Sequence, residues 1–167
     1  MRYMLPVILM LAAARCLLAA AADGPLDVPV PAGWKMEYQG TDGLDFYSVV
    51  PQPAGSGLLM FYKWPPRTKP EEIPALVRNL AGDYVDAVKK GSAVLASDKR
   101  EVEGFAGAHC KGSYVVFRFK GEDAGGPPMH TVFMMSADGL IWNGQFTGKP
   151  DDWAEALKLL AAIKKKG

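Results

Sequence analysis

The stretch that most constrains this chain runs from Met129 to Thr147, MHTVFMMSADGLIWNGQFT. Asp138 and Gly139 are residue types that accept the two consecutive positive φ values of a tight type I′ turn, and apolar alternation flanks them on both sides. A two-residue turn fixes the pairing of the strands it joins. Ala137 then faces Leu140, Met135 faces Trp142, Phe133 faces Gly144 and Thr131 faces Phe146, so one side of the hairpin is almost wholly apolar and must be buried. The other side pairs Ser136 with Ile141, Met134 with Asn143, Val132 with Gln145 and His130 with Thr147. That mixed surface is compatible with solvent, a second packing layer or a binding face.

The hairpin sits in a chain of 167 residues that opens with MRYMLPVILMLAAARCLLAAAA. An early Arg2, an apolar run and a closing string of small residues make residues 1–22 a secretory signal peptide, which places the mature protein in the periplasm or outside the cell. Arg15 interrupts the segment, and the apolar run before it is well short of the about 20 residues that span a bilayer, so the mature chain carries no stable membrane span. Cys16 does not read as a lipid acceptor, because Arg15 precedes it where a small residue is required. Residues 23–33, rich in proline, read as an extended leader, and residues 34–167 as a single domain with enough chain for its own core. The formal charge is +1, and the basic residues are scattered, so no nucleic-acid partner is indicated. Cys110 is the one cysteine left after the signal, and packing must stabilise the fold without an intramolecular disulfide.

Along the mature chain, Trp34 to Gln39 alternates cleanly, Leu44 to Val50 forms its hairpin partner, and Leu58 to Trp64 is a third strand whose unbroken apolar run suggests cover on both faces. Thr68 to Glu71 matches a capping box, and Ile73, Val77, Leu80, Tyr84 and Val88 lie on one stripe of a helix that ends at Gly91. A strand over Ser92–Glu103 follows, with a turn at Gly104. Ala108 to Lys120 is a long strand with Cys110, Gly112, Tyr114, Val116 and Arg118 on one side. The Gly121–Pro128 connector is a lid candidate. Pro150 opens a terminal helix with Trp153, Ala156, Leu157, Leu160 and Ile163 on its stripe, acidic residues near its start and Lys164 to Lys166 at its end. The predicted class is α+β: an antiparallel β-sheet of about six to seven strands with two amphipathic helices packed on it, in the order βββα-ββββ-α.

With its Pro-Ala-Gly-Trp entry at Pro31 to Trp34, three strands, one helix, a run of strands closing on an aromatic hairpin and a terminal helix, the chain resembles the PsbP-like superfamily, including the DcrB-like exported bacterial proteins. The resemblance implies an antiparallel sheet flanked by helices, used mainly as a non-catalytic binding or assembly module with a protein partner on the sheet or its edges. It brings no active-site residues to carry over.

The residues themselves offer little chemistry. Cys110 with His130 is the one thinkable thiol–imidazole pair, since His109 points to the opposite face from Cys110. Two histidines and one cysteine match no metal-ligand spacing, and neither a nucleophile elbow nor a phosphate loop is present, so no cofactor is expected. The carboxylate pairs Glu71-Glu72, Glu122-Asp123 and Asp151-Asp152 read as solvated charges or helix N-terminal residues. Two functions follow. The first is an exported non-catalytic binding or assembly module that holds a protein or apolar ligand on the hairpin face of His130, Val132, Met134, Ile141, Asn143 and Gln145. The alternative is a small thiol-dependent enzyme using Cys110 and His130.

Overall fold

The computed structural model describes residues 24–41, 44–52, 57–65, 67–90, 95–96, 101–119 and 129–167. The signal peptide expected over residues 1–22, the Gly121–Pro128 connector and most of the strand expected before Glu103 lie outside the described residues. The fold is α+β. Its elements are β1 (Leu26–Asp27), β2 (Trp34–Thr41), β3 (Leu44–Pro51), β4 (Gly57–Lys63), α1 (Ile73–Lys89), β5 (Glu103–Ala106), β6 (Cys110–Arg118), β7 (Met129–Ala137), β8 (Leu140–Gly148), α2 (Pro150–Ala162) and β9 (Lys164–Lys165). Strands β2 to β8 form one antiparallel sheet in the order β2-β3-β4-β8-β7-β6-β5. The β7–β8 hairpin lies near its centre.

That hairpin has the register its turn dictates. Asp138 and Gly139 adopt φ values of 46° and 84°, and every pair from Ala137–Leu140 to His130–Thr147 matches the sequence pattern. Gly144 answers Phe133 across the ladder. A Cβ there would collide with the Phe133 ring and with the Met60 carbonyl, so the glycine makes room for an aromatic ring laid over the neighbouring strand.

The two helices cover opposite faces of the sheet. On one face α2 buries Trp153, Ala156, Leu159 and Leu160 against a core that contains Tyr47, Leu59, Phe61, Tyr114, Phe133, Met135, Trp142 and Phe146. Tyr47 stacks on Phe61 at 5.0 Å, and Trp142 meets both rings edge-on. On the other face α1 buries Ile73, Val77, Ala81 and Val85 against Val115, Phe117, Met134 and Ile141. This helix packs on β6 and β7, and among the described residues no helix lies over the β2–β4 half of its face. The expected two-sided cover of the third strand is therefore one-sided: Leu59 and Phe61 are buried, whereas Leu58, Met60 and Tyr62 are half-buried.

Three details depart from the sequence expectation. A 3-10 turn, Pro70–Glu72, precedes α1, and the box that closes it is formed by the Lys69 amide donating to the Glu72 carboxylate at 2.9 Å, one residue later than Thr68. Gly104 lies inside β5, and the turn into β6 falls after Ala106, where the Gly107 amide donates to the Cys110 carbonyl. Gly107 also abuts the Ala161 carbonyl of α2, an approach that leaves no space for a side chain.

The largest departure is the leader. Leu26 and Val28 belong to the core, and β1 pairs antiparallel with β9, Leu26 opposite Lys165 and Asp27 opposite Lys164. The packed fold thus begins before Trp34. The Tyr47 hydroxyl accepts a hydrogen bond from the Leu26 amide at 2.9 Å, and Lys164 reaches Asp27 at 3.2 Å. The basic tail is a short strand closing over the leader. Tyr47→Phe is expected to lower stability by about 1 kcal/mol and to speed amide exchange at Leu26, as read by urea denaturation and hydrogen–deuterium exchange.

Candidate functional site

The hairpin face named from the sequence lies beneath α1 over much of its area. His130 is buried, its ring parallel to Tyr84 of α1 at 4.3 Å, with Nδ1 at 2.9 Å from the Thr147 hydroxyl. Burial pushes its pKa down to about 4. Met134 and Ile141 are part of the α1 core, and the buried Asn143 donates to the Tyr62 hydroxyl at 2.6 Å. Val132 and Gln145 are half-buried. The six share a face, but four of them are buried, and around His130, Met134 and Ile141 that face is a packing layer against the helix.

Cys110 and His130 are not brought together. Cys110 lies on the α2 side of the sheet opposite Ala137, while His130 lies on the α1 side opposite Phe117. The seven ladder positions between them correspond to about 23 Å. Cys110 is 1% exposed, and burial, with a smaller contribution from the Asp138 carboxylate, pushes its thiol up to about 12. Such a thiol is protonated and inert at neutral pH. A maleimide or Ellman titration of the folded protein is therefore expected to leave Cys110 unmodified, with full reaction only after denaturation.

A different set of residues surrounds open space. Where β6 runs on beyond short β5, the α2 helix stands off the sheet and leaves a cleft of about 440 Å³. One wall is β6 and the chain beside it, through Tyr114, Val116, Arg118, Glu103 and Glu101; the other is the N-terminal half of α2, through Trp153, Ala154 and Leu157, with Met129 also lining the space. Ladder alternation explains the first wall, because Tyr114, Val116 and Arg118 are successive residues on the α2 side of one strand. Helical spacing explains the second, since Leu157 lies one turn on from both Trp153 and Ala154, at i+4 and i+3.

The charges within this cleft are unevenly engaged. Glu103 accepts a hydrogen bond from the Tyr114 hydroxyl at 2.7 Å, and burial first, then that hydrogen bond and the charge of Glu103, push the phenol up to about 12. Tyr114 is thus a neutral donor that orients a carboxylate. Arg118 is exposed, and among the described residues no ion pair to its guanidinium is present. Its backbone carbonyl accepts from the Ala96 amide, which fixes the cleft's outer rim. Trp153 is buried at its base against Tyr114, Phe133 and Phe146.

The cleft residues were not singled out from sequence. Arg118 read as one charge on a strand, Glu101 and Glu103 as the charged end of another, and Trp153 as core. The signal available was the shared parity of Tyr114, Val116 and Arg118. Among the described residues no group of three or more His, Cys, Asp or Glu could hold a metal ion, and no helix is long and apolar enough to cross a membrane.

No family model matches the chain, and no curated protein matches it. Among solved structures it is similar to the solution structure of cyanobacterial PsbP (CyanoP) from Synechocystis sp. PCC 6803. The match has 12% sequence identity and a TM-score of 0.47, and it covers 91% of this chain and 99% of that one. The α+β class itself comes from the chain's own sheet and helices.

Proposed function

We propose that this chain is an exported, non-catalytic binding module that holds a small ligand in the cleft between α2 and the β5–β6 edge. Export rests on the character of residues 1–22. The observation that carries the binding reading is a cleft of about 440 Å³ that joins the guanidinium of Arg118, which has no ion pair among the described residues, to the apolar surfaces of Trp153, Leu157 and Met129. Polar groups placed beside apolar surface are what set a ligand's orientation in a binding site. A thiol-dependent reaction is not favoured, because Cys110 is buried and stands on the other side of the sheet from His130.

Ala154 provides the test, since it lines the cleft yet is exposed, so a large residue there fills the space with little effect on the core. The mature protein and its Ala154→Trp variant are compared by thermal shift against small carboxylates, amines, short peptides and neutral apolar compounds. At least one class is expected to raise the melting temperature of the wild type in a concentration-dependent way and to leave the variant unmoved. Compounds that shift both proteins equally, or none that shifts either, would remove the cleft as the site.

A further inference from the structure

We infer that the ligand is dipolar, a short free peptide of about three residues whose carboxylate meets Arg118 and whose ammonium meets the Glu101 and Glu103 side. This inference rests on the cleft being the binding site and names the chemistry it recognises.

Three charged side chains line the space: Glu101 and Glu103 are anionic and Arg118 is cationic. A simple anion attracted to Arg118 faces two carboxylates for one guanidinium. A simple cation drawn to the carboxylates shares the cleft with an arginine that has no counterion among the described residues. A molecule carrying both charges at its ends satisfies both.

The charges are also separated in space. Glu103 is paired opposite Tyr114, and Arg118 is four residues further along the same strand, about 13 Å at strand rise. Glu101 precedes Glu103 by two residues and lines the cleft as well, shortening the gap that a ligand must bridge. An extended tripeptide reaches about 10 Å, and its charged ends sit at the two poles. Between them the floor is apolar, with Val116, Met129, Trp153 and Leu157, which suits an uncharged middle side chain. Tyr114 holds Glu103 by its hydroxyl, so one carboxylate of the acidic pole is pre-oriented before any ligand arrives.

A protein tail offers one terminus and a fatty acid one carboxylate, so the requirement for both ends separates these sources. The probe is the tripeptide Ala-Leu-Ala with free termini, titrated into the mature protein by calorimetry beside its N-acetyl and C-amide derivatives and octanoate. Each blocking group is expected to weaken binding about tenfold or more. Glu101→Gln should reduce the acetylation penalty while leaving the amidation penalty in place, and Arg118→Gln should do the reverse. These variants are on the exposed rim, and this crossed pattern is one that general loss of structure does not produce. Equal affinity for the free and acetylated peptides, or octanoate binding as well as the peptide, overturns the dipolar assignment and leaves the cleft as a carboxylate site. Failure of every probe, with no compound distinguishing wild type from Ala154→Trp, overturns the cleft itself.

Discussion

Trp142→Ala is expected to lower the unfolding free energy by about 3–5 kcal/mol, a large share of the about 5–15 kcal/mol that holds a domain of this kind. Trp142 is fully buried on β8, between β4 and β7 in the sheet. Its ring meets Tyr47 at 5.5 Å and Phe61 at 5.9 Å, both edge-on. Truncation removes the largest side chain of this cluster and leaves a cavity that the flanking strands, fixed by their ladders, can close only in part. Trp142→Phe should cost far less. The indole Nε1–H is buried with no acceptor among the described residues, and an unsatisfied buried donor costs about 1–3 kcal/mol, so losing it offsets part of the lost contact area. Urea denaturation of the three proteins gives both values, and an unchanged m-value identifies the loss as one of stability. A Trp142→Ala loss below that of Trp142→Phe would mean that Trp142 is not the centre of the core.

The contrast between Trp142 and the cleft explains how much of the molecule was legible in its sequence. Trp142 was assigned to the core because a two-residue turn four positions upstream fixes its face, and alternation carries that assignment outward with no knowledge of the rest of the fold. The same local rules found the β2–β3 hairpin, the two amphipathic helices and the parity of β6. They fail wherever burial is decided by residues far away in sequence. Leu26 and Val28 lie among prolines, show no period, and are buried only because Tyr47 and the chain after α2 come to meet them. Gly104 looked like a turn because nothing local distinguishes a turn glycine from one in a strand.

Which face each helix covers is likewise a tertiary fact. It turned His130, Met134 and Ile141 from a possible binding surface into the bed of α1, while Asn143 is buried against Tyr62 of β4. The cleft had the opposite fate: Glu103 and Arg118 come to line one space through the pairing of β5 with β6, and neither segment alone announces it. Core faces are periodic and hence readable. Sites made where an edge strand stops and a helix stands off are not.

His130 gives the fold a calculable dependence on pH. The imidazole is buried between Tyr84 of α1 and the sheet, and burial lowers its pKa to about 4 from an ordinary 6.5. Nδ1 is hydrogen-bonded to the Thr147 hydroxyl, and Nε2 has no partner among the described residues, so nothing there compensates the charge of a doubly protonated ring. The unfolded chain binds that proton below about pH 6.5, whereas the folded chain refuses it until about pH 4. Stability therefore holds above pH 6.5, falls as the pH drops from 6.5 to about 4, and levels off for this residue below that. The full span is on the order of 3 kcal/mol. The informative quantity is the difference between wild type and His130→Asn, which removes this titration while keeping a polar group beside Thr147. That difference should be constant above pH 7 and move against the wild type on acidification, with α1 amides losing exchange protection before those of the β7–β8 hairpin. Parallel stability curves for the two proteins across this range would show that water reaches His130, and that α1 does not seal the face it covers.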